Sequence, residues 1–76
     1  MKAWRYKSRI GPLYIVPMKN GRFGLMYDNT IWESSATPAD EAENVRAHVT
    51  GCSDWDDLDG IVDPPSDLSE WELVNI

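Results

Sequence analysis

From Trp4 to Ile10 the chain alternates. Trp4, Tyr6, Ser8 and Ile10 fall on one side of an extended backbone, and Arg5, Lys7 and Arg9 on the other. A period of two predicts a strand with one basic face. Gly11-Pro12 is a turn signal, and Leu13-Tyr14-Ile15-Val16 is a β-branched and aromatic run that predicts a second strand, closed by Pro17. Asn20-Gly21 favours a type I′ hairpin turn, because both residues accept positive φ. A third strand is expected over Arg22–Tyr27, a tight turn at Asp28-Asn29, and a fourth strand over Thr30–Ser34.

Two-residue turns would fix the pairing and so sort the faces. About Asn20-Gly21, Val16 would oppose Leu25; about Asp28-Asn29, Leu25 would oppose Trp32. One face then carries Tyr14, Val16, Met18, Phe23, Leu25, Tyr27 and Trp32, joined by Arg5, Lys7 and Arg9 if Gly11-Pro12 is also a two-residue turn. The other carries Ile15, Pro17, Gly24, Met26, Ile31 and Glu33, joined by Trp4, Tyr6 and Ile10. Both faces are substantially apolar, so one must lie under a helix and the other under the C-terminal segment or a partner.

A helix is punctuated at both ends. Thr37 is an N-cap, Pro38 sits at the first helical position, and Asp40 and Glu41 suit the positive N-terminus. Ala39, Ala42, Val45 and Val49 form an apolar stripe, and Gly51 is the expected terminator. Beyond it the chain turns acidic and irregular, with Pro64-Pro65 as a stop and Asp67-Leu68-Ser69-Glu70 as a capping box for a last short turn. Trp55 and Trp71 are too large and apolar to stay solvated, and are expected to pack on the sheet. The fold expected is one α+β domain over residues 1–76: an antiparallel three- or four-stranded β-meander (3–35), packed on one helix (37–50), with an irregular acidic C-terminal segment (52–76) wrapping the sheet.

Composition sharpens what this domain can do. Its 76 residues are 42% hydrophobic and 26% charged, which is globular usage with only a small core. One cysteine (Cys52) and one histidine (His48) exclude an internal disulfide and a four-ligand zinc site. No apolar run is long enough to span a bilayer, and no signal-peptide pattern follows Met1, so a soluble cytoplasmic protein is expected. The net charge of −6 is unevenly laid out. Residues 1–22 hold six cations (Lys2, Arg5, Lys7, Arg9, Lys19, Arg22) and no acid, while residues 23–76 hold Arg46 against all 13 acids. The two parts could simply attract each other. Otherwise the layout fits a basic nucleic-acid face, or an acidic surface that imitates nucleic acid and inhibits a DNA-handling protein.

Motifs for chemistry fail one by one. A calcium loop starting at Asp54 would place Leu58 and Ile61 at its fifth and eighth positions and Pro65 where the bidentate Glu belongs. His48 and Cys52 are four apart, but Cys52 lies past the glycine that ends the helix, so a Cys-His nucleophile pair is not assembled. There is no phosphate loop, nucleotide fingerprint or serine elbow. No catalytic, cofactor-binding or metal-ligating residue is expected, and no cofactor. The expected function is a small non-enzymatic protein-interaction module, with Arg5, Lys7, Arg9, Tyr14 and Trp32 as its candidate surface. Its partner would be another protein or a second copy, with nucleic acid as the alternative and no membrane role.

Two resemblances add context. A three-stranded sheet backed by one helix over roughly residues 4–50 resembles, in element order, the AP2-type and integrase-arm DNA-binding domains, which implies a sheet that enters the major groove. Across nearly the whole chain, Trp4-Arg5-Tyr6, Tyr14-Ile15-Val16-Pro17, Gly21-Arg22-Phe23-Gly24-Leu25, Thr37-Pro38-Ala39, Trp55-Asp56 and Asp67-Leu68-Ser69-Glu70-Trp71 resemble a group of small uncharacterised bacterial proteins. That resemblance implies a free-standing domain with both late tryptophans in the fold, and no activity.

Overall fold

Four consecutive extended segments pair as neighbours. The computed structural model, which describes residues 1–62 and 64–76, has β1 (Lys2–Ser8), β2 (Gly11–Pro17), β3 (Phe23–Tyr27) and β4 (Thr30–Ser35), then α1 (Pro38–Arg46) and a one-turn α2 (Ser53–Asp56). A 3-10 turn (Leu68–Glu70) leads into β5 (Glu72–Asn75). The sheet is antiparallel with order β4-β3-β2-β1-β5. The α+β class is therefore as expected, but the end of the acidic segment does not merely wrap the sheet. It adds a fifth strand, and Ala3 pairs with Val74 and Trp4 with Leu73. Of the remaining acidic segment, Asp63 lies outside the described residues.

The turns correct the expected register. Between β1 and β2 the connection is Arg9-Ile10, not Gly11-Pro12. Gly11 takes φ of 117°, and the Ser8 hydroxyl accepts from Ile10 N–H at 3.2 Å. Asn20 keeps a negative φ, so Asn20-Gly21 does not form a type I′ turn. Instead the five residues Met18–Arg22 loop, with Met18 N–H donating to Arg22 C=O (2.8 Å) and Gly21 alone at positive φ. The Asn20 side chain accepts from Arg22 N–H at 3.0 Å. This shifts β3 by one residue, pairing Ile15 with Leu25 and Val16 with Gly24. Asp28-Asn29 does form the primed turn, with φ of 54° and 60°. A bulge opposite Leu25/Met26 then moves the rest of β4, so that Leu25 opposes Glu33 rather than Trp32.

The shift sorts the sheet. Trp4, Tyr6, Leu13, Ile15, Phe23, Leu25 and Tyr27 gather on one face, under Ala42 and Val45 of α1 and under Trp55 and Trp71. Tyr6 meets both late tryptophans, edge-on to Trp55 (ring centroids 5.8 Å) and tilted against Trp71 (5.6 Å). Both tryptophans thus lie on the same face as the helix rather than roofing the opposite one. Each such burial contributes roughly 1.5–3 kcal/mol.

Thr37 caps α1 by accepting from Asp40 N–H at 3.1 Å. The helix ends three residues earlier than Gly51 suggests. His48 takes the left-handed conformation (φ 56°), its N–H donating to Val45 C=O and that of Val49 to Asn44 C=O, the paired bonds of a Schellman end. A non-glycine residue holds that position because its ring stacks on Trp55 (4.5 Å, 13°) and its Nδ1 lies 3.1 Å from Trp55 C=O. Val49, expected in the apolar stripe, is exposed; Glu41 is buried in its stead.

Candidate interaction surface

The opposite sheet face is built by the same alternation. Register aligns Glu72, Arg5, Tyr14, Met26 and Ile31 in one row across all five strands. A second row behind it runs Val74, Ala3, Val16, Gly24 and Ser34. Ala3 and Val16 are buried, Tyr14, Met26 and Val74 are half-buried, and Ile31 is 43% exposed. Gly24 leaves room for its neighbours: a Cβ there would stand 2.9 Å from Met18 Sδ and 3.0 Å from Ile31 Cγ2. Met18 and Ile31 thus close over the glycine and carry the apolar strip toward β4.

Charge borders this strip at one end. Arg5 donates through Nε to Glu72 Oε1 at 2.9 Å, and its Nη2 reaches the same oxygen. The bond to Glu72, then that to Tyr14, raises the Arg5 guanidinium above its ordinary value, and the Glu72 carboxyl is lowered in return. The Arg5 side chain is half-buried and that of Glu72 exposed, so solvent screens the pair and it sets geometry more than stability. Lys7, opposite Pro12, is exposed, as is Arg9 at the hairpin tip. Beside the middle of the strip an open cleft of about 250 Å³ is lined by Pro12, Tyr14, Met26, Tyr27, Asp28 and Asn29. It is smaller than the usual small-molecule site and of a size to take one inserted side chain.

Of the five residues singled out in the sequence, the structure brings Arg5, Lys7 and Tyr14 together on this face and leaves Arg9 at its margin. Trp32 stands apart. It is the extra residue of the β4 bulge, separated from β1 by two intervening strands, 42% exposed, with its indole N–H donating to Tyr27 C=O at 3.2 Å. Sequence reasoning missed Met26, Ile31 and Val74 as members of this surface, because the type I′ expectation placed Met26 and Ile31 with Ile15. The only signal available was Gly24 itself, a strand glycine that marks close approach.

The acidic segment spends much of its charge on its own backbone. Asp56 accepts from Thr50 N–H, Thr50 Oγ1 (2.8 Å) and Gly51 N–H (2.9 Å). Asp67 caps the 3-10 turn through Ser69, and Glu70 accepts from Ser66; these bonds lower both carboxyls. Among the described residues no group of three or more His, Cys, Asp or Glu side chains could hold a metal ion. Nor, among those residues, is any helix long and apolar enough to cross a membrane. The chain matches no protein-family model, and no match was found among the curated proteins or the solved structures.

Proposed function

We propose that the chain is a small, non-enzymatic protein-interaction module that docks a second protein surface on the open face of its sheet. The observation that supports this is the row Arg5–Tyr14–Met26–Ile31, an apolar centre with cationic margin on the side away from α1, α2 and both late tryptophans. Contiguous exposed apolar surface on a small domain marks an interaction site. The surface that fits is apolar at its middle, with carboxylates placed to meet Lys7 and Arg9. A second copy of the chain offers such carboxylates in its acid-rich half. We place this module in the cytoplasm, in keeping with its single, buried cysteine, Cys52.

Nucleic-acid binding through the same face has less support, since Arg5 is tied to Glu72 and Arg22 to the Ser34 hydroxyl and carbonyl. Mimicry of nucleic acid is weakened because Asp56, Asp67 and Glu70 are engaged as acceptors by backbone and hydroxyl groups of their own segment. Sedimentation velocity over a wide concentration range tests the docking. Self-association is expected, and it is expected to vanish in Ile31→Lys, whose exposed position leaves the core alone. A monomer at every concentration removes the second copy as partner. Retention of a labelled DNA duplex at low salt, lost at high salt and in Lys7→Glu, would transfer the face to nucleic acid.

A further inference from the structure

Between β4 and α1 a half-buried carboxyl, Glu33, faces a fully buried one, Glu41. Glu33 and Ser35 are two apart on β4 and share the covered face, while Glu41 and Asn44 are three apart on α1 and share a helix side. Glu41 is fully buried. Ser35 Oγ donates to Glu41 Oε1 at 2.9 Å, and Asn44 Nδ2 donates to Ser35 Oγ at 3.3 Å. One oxygen of each acid, Glu33 Oε2 and Glu41 Oε2, is buried with no hydrogen-bond partner among the described residues. Buried acceptors are rarely left this way, and two ionised carboxylates in contact repel strongly where water is excluded. A single proton between them removes both difficulties.

We propose that Glu33 keeps its proton where it faces Glu41, and that this proton latches α1 to β4 so that the fold loosens as the solution turns alkaline. The charged groups acting on Glu33 are Glu41 from α1 and Asp56 from α2, both acidic; Asn44 faces it as a neutral donor. Burial first, then Glu41, pushes the Glu33 carboxyl up to about 8. The folded value lies above the unfolded one. The stabilisation is therefore complete below the unfolded carboxylate range and is lost as pH rises through about 8. The latch does not rest on the docking face.

Thermal unfolding at about pH 5 and about pH 9 tests it. The parent is expected to lose on the order of 5–10 °C between them, and Glu33→Gln, which keeps the shape of the protonated acid, to lose little. Carbon-detected NMR of the parent gives a second reading that needs no variant: one glutamate carboxyl should stay protonated at neutral pH and titrate only on the alkaline side. Equal melting at both pH values, an undiminished fall in Glu33→Gln, or glutamate carboxyls all ionised by neutral pH would each overturn the latch.

Discussion

Replacing each late tryptophan by phenylalanine separates ring burial from the fate of the indole N–H. Trp55 is fully buried, stacks on His48 and donates Nε1–H to Val45 C=O at 2.9 Å. Trp71 is 6% exposed and packs on Tyr6, but its Nε1 is buried without a partner among the described residues. Either change gives up a ring's worth of burial, about 1 kcal/mol. At position 55 it also removes a hydrogen bond worth about 1 kcal/mol and part of the stack on His48, worth about 0.5 kcal/mol. At position 71 it removes a desolvated donor whose burial opposes folding by roughly 1–3 kcal/mol. Trp55→Phe should therefore destabilise by about 2–3 kcal/mol, whereas Trp71→Phe should be neutral or stabilise by up to about 2 kcal/mol. Urea unfolding followed by far-ultraviolet circular dichroism measures both without relying on the fluorophore that is removed. A Trp71→Phe variant as weak as Trp55→Phe would refute the reasoning. Alanine is the blunter change: at either site it should cost about 3–5 kcal/mol, against a total of roughly 4–11 kcal/mol for a chain of this size.

Thr37→Ala removes the α1 cap and should lower stability by about 1 kcal/mol, read as a shift in urea midpoint at unchanged slope. Asp56→Ala strips the acceptor shared by Thr50 and Gly51 and should cost about 2–3 kcal/mol, with faster hydrogen exchange at those two amides as its local signature.

Much of the fold was legible because local chemistry and tertiary structure agree there. The tight turn at Asp28-Asn29, the Thr37 cap with Pro38 behind it, and the burial of Trp55 and Trp71 all follow from residue type. The end of α1 was not legible. Gly51 is the better residue for a left-handed terminus, yet His48 takes it, since its tertiary stack on Trp55 and the Nδ1 contact to Trp55 C=O compensate a non-glycine φ of 56°. β5 was also hidden: Glu72-Leu73-Val74-Asn75 is too short to read as a strand until β1 offers an edge. In the docking face, Arg5, Lys7 and Tyr14 were visible from alternation, whereas Met26 and Ile31 depend on a register that two loops decide.

Those loops show which effect wins. A type I′ turn at Asn20-Gly21 would have set Leu25 opposite Val16 and divided the large side chains between the faces. The observed loop gives up that turn and gathers Ile15, Phe23, Leu25 and Tyr27 under α1, where complete burial of Leu25 alone is worth roughly 1.5–3 kcal/mol. Differences between hairpin turns are smaller than that, so the core sets the register. The β4 bulge runs the other way. Continued without it, the pairing at Tyr27–Thr30 would put Trp32 opposite Leu25 beneath the helix and Glu33 on the open face. The bulge instead exposes the indole and buries a carboxyl against a second one. Hydrophobic burial alone would never choose that exchange. The proton proposed on Glu33 would offset the cost of that exchange, which ties the irregularity in β4 to the latch between Glu33 and Glu41.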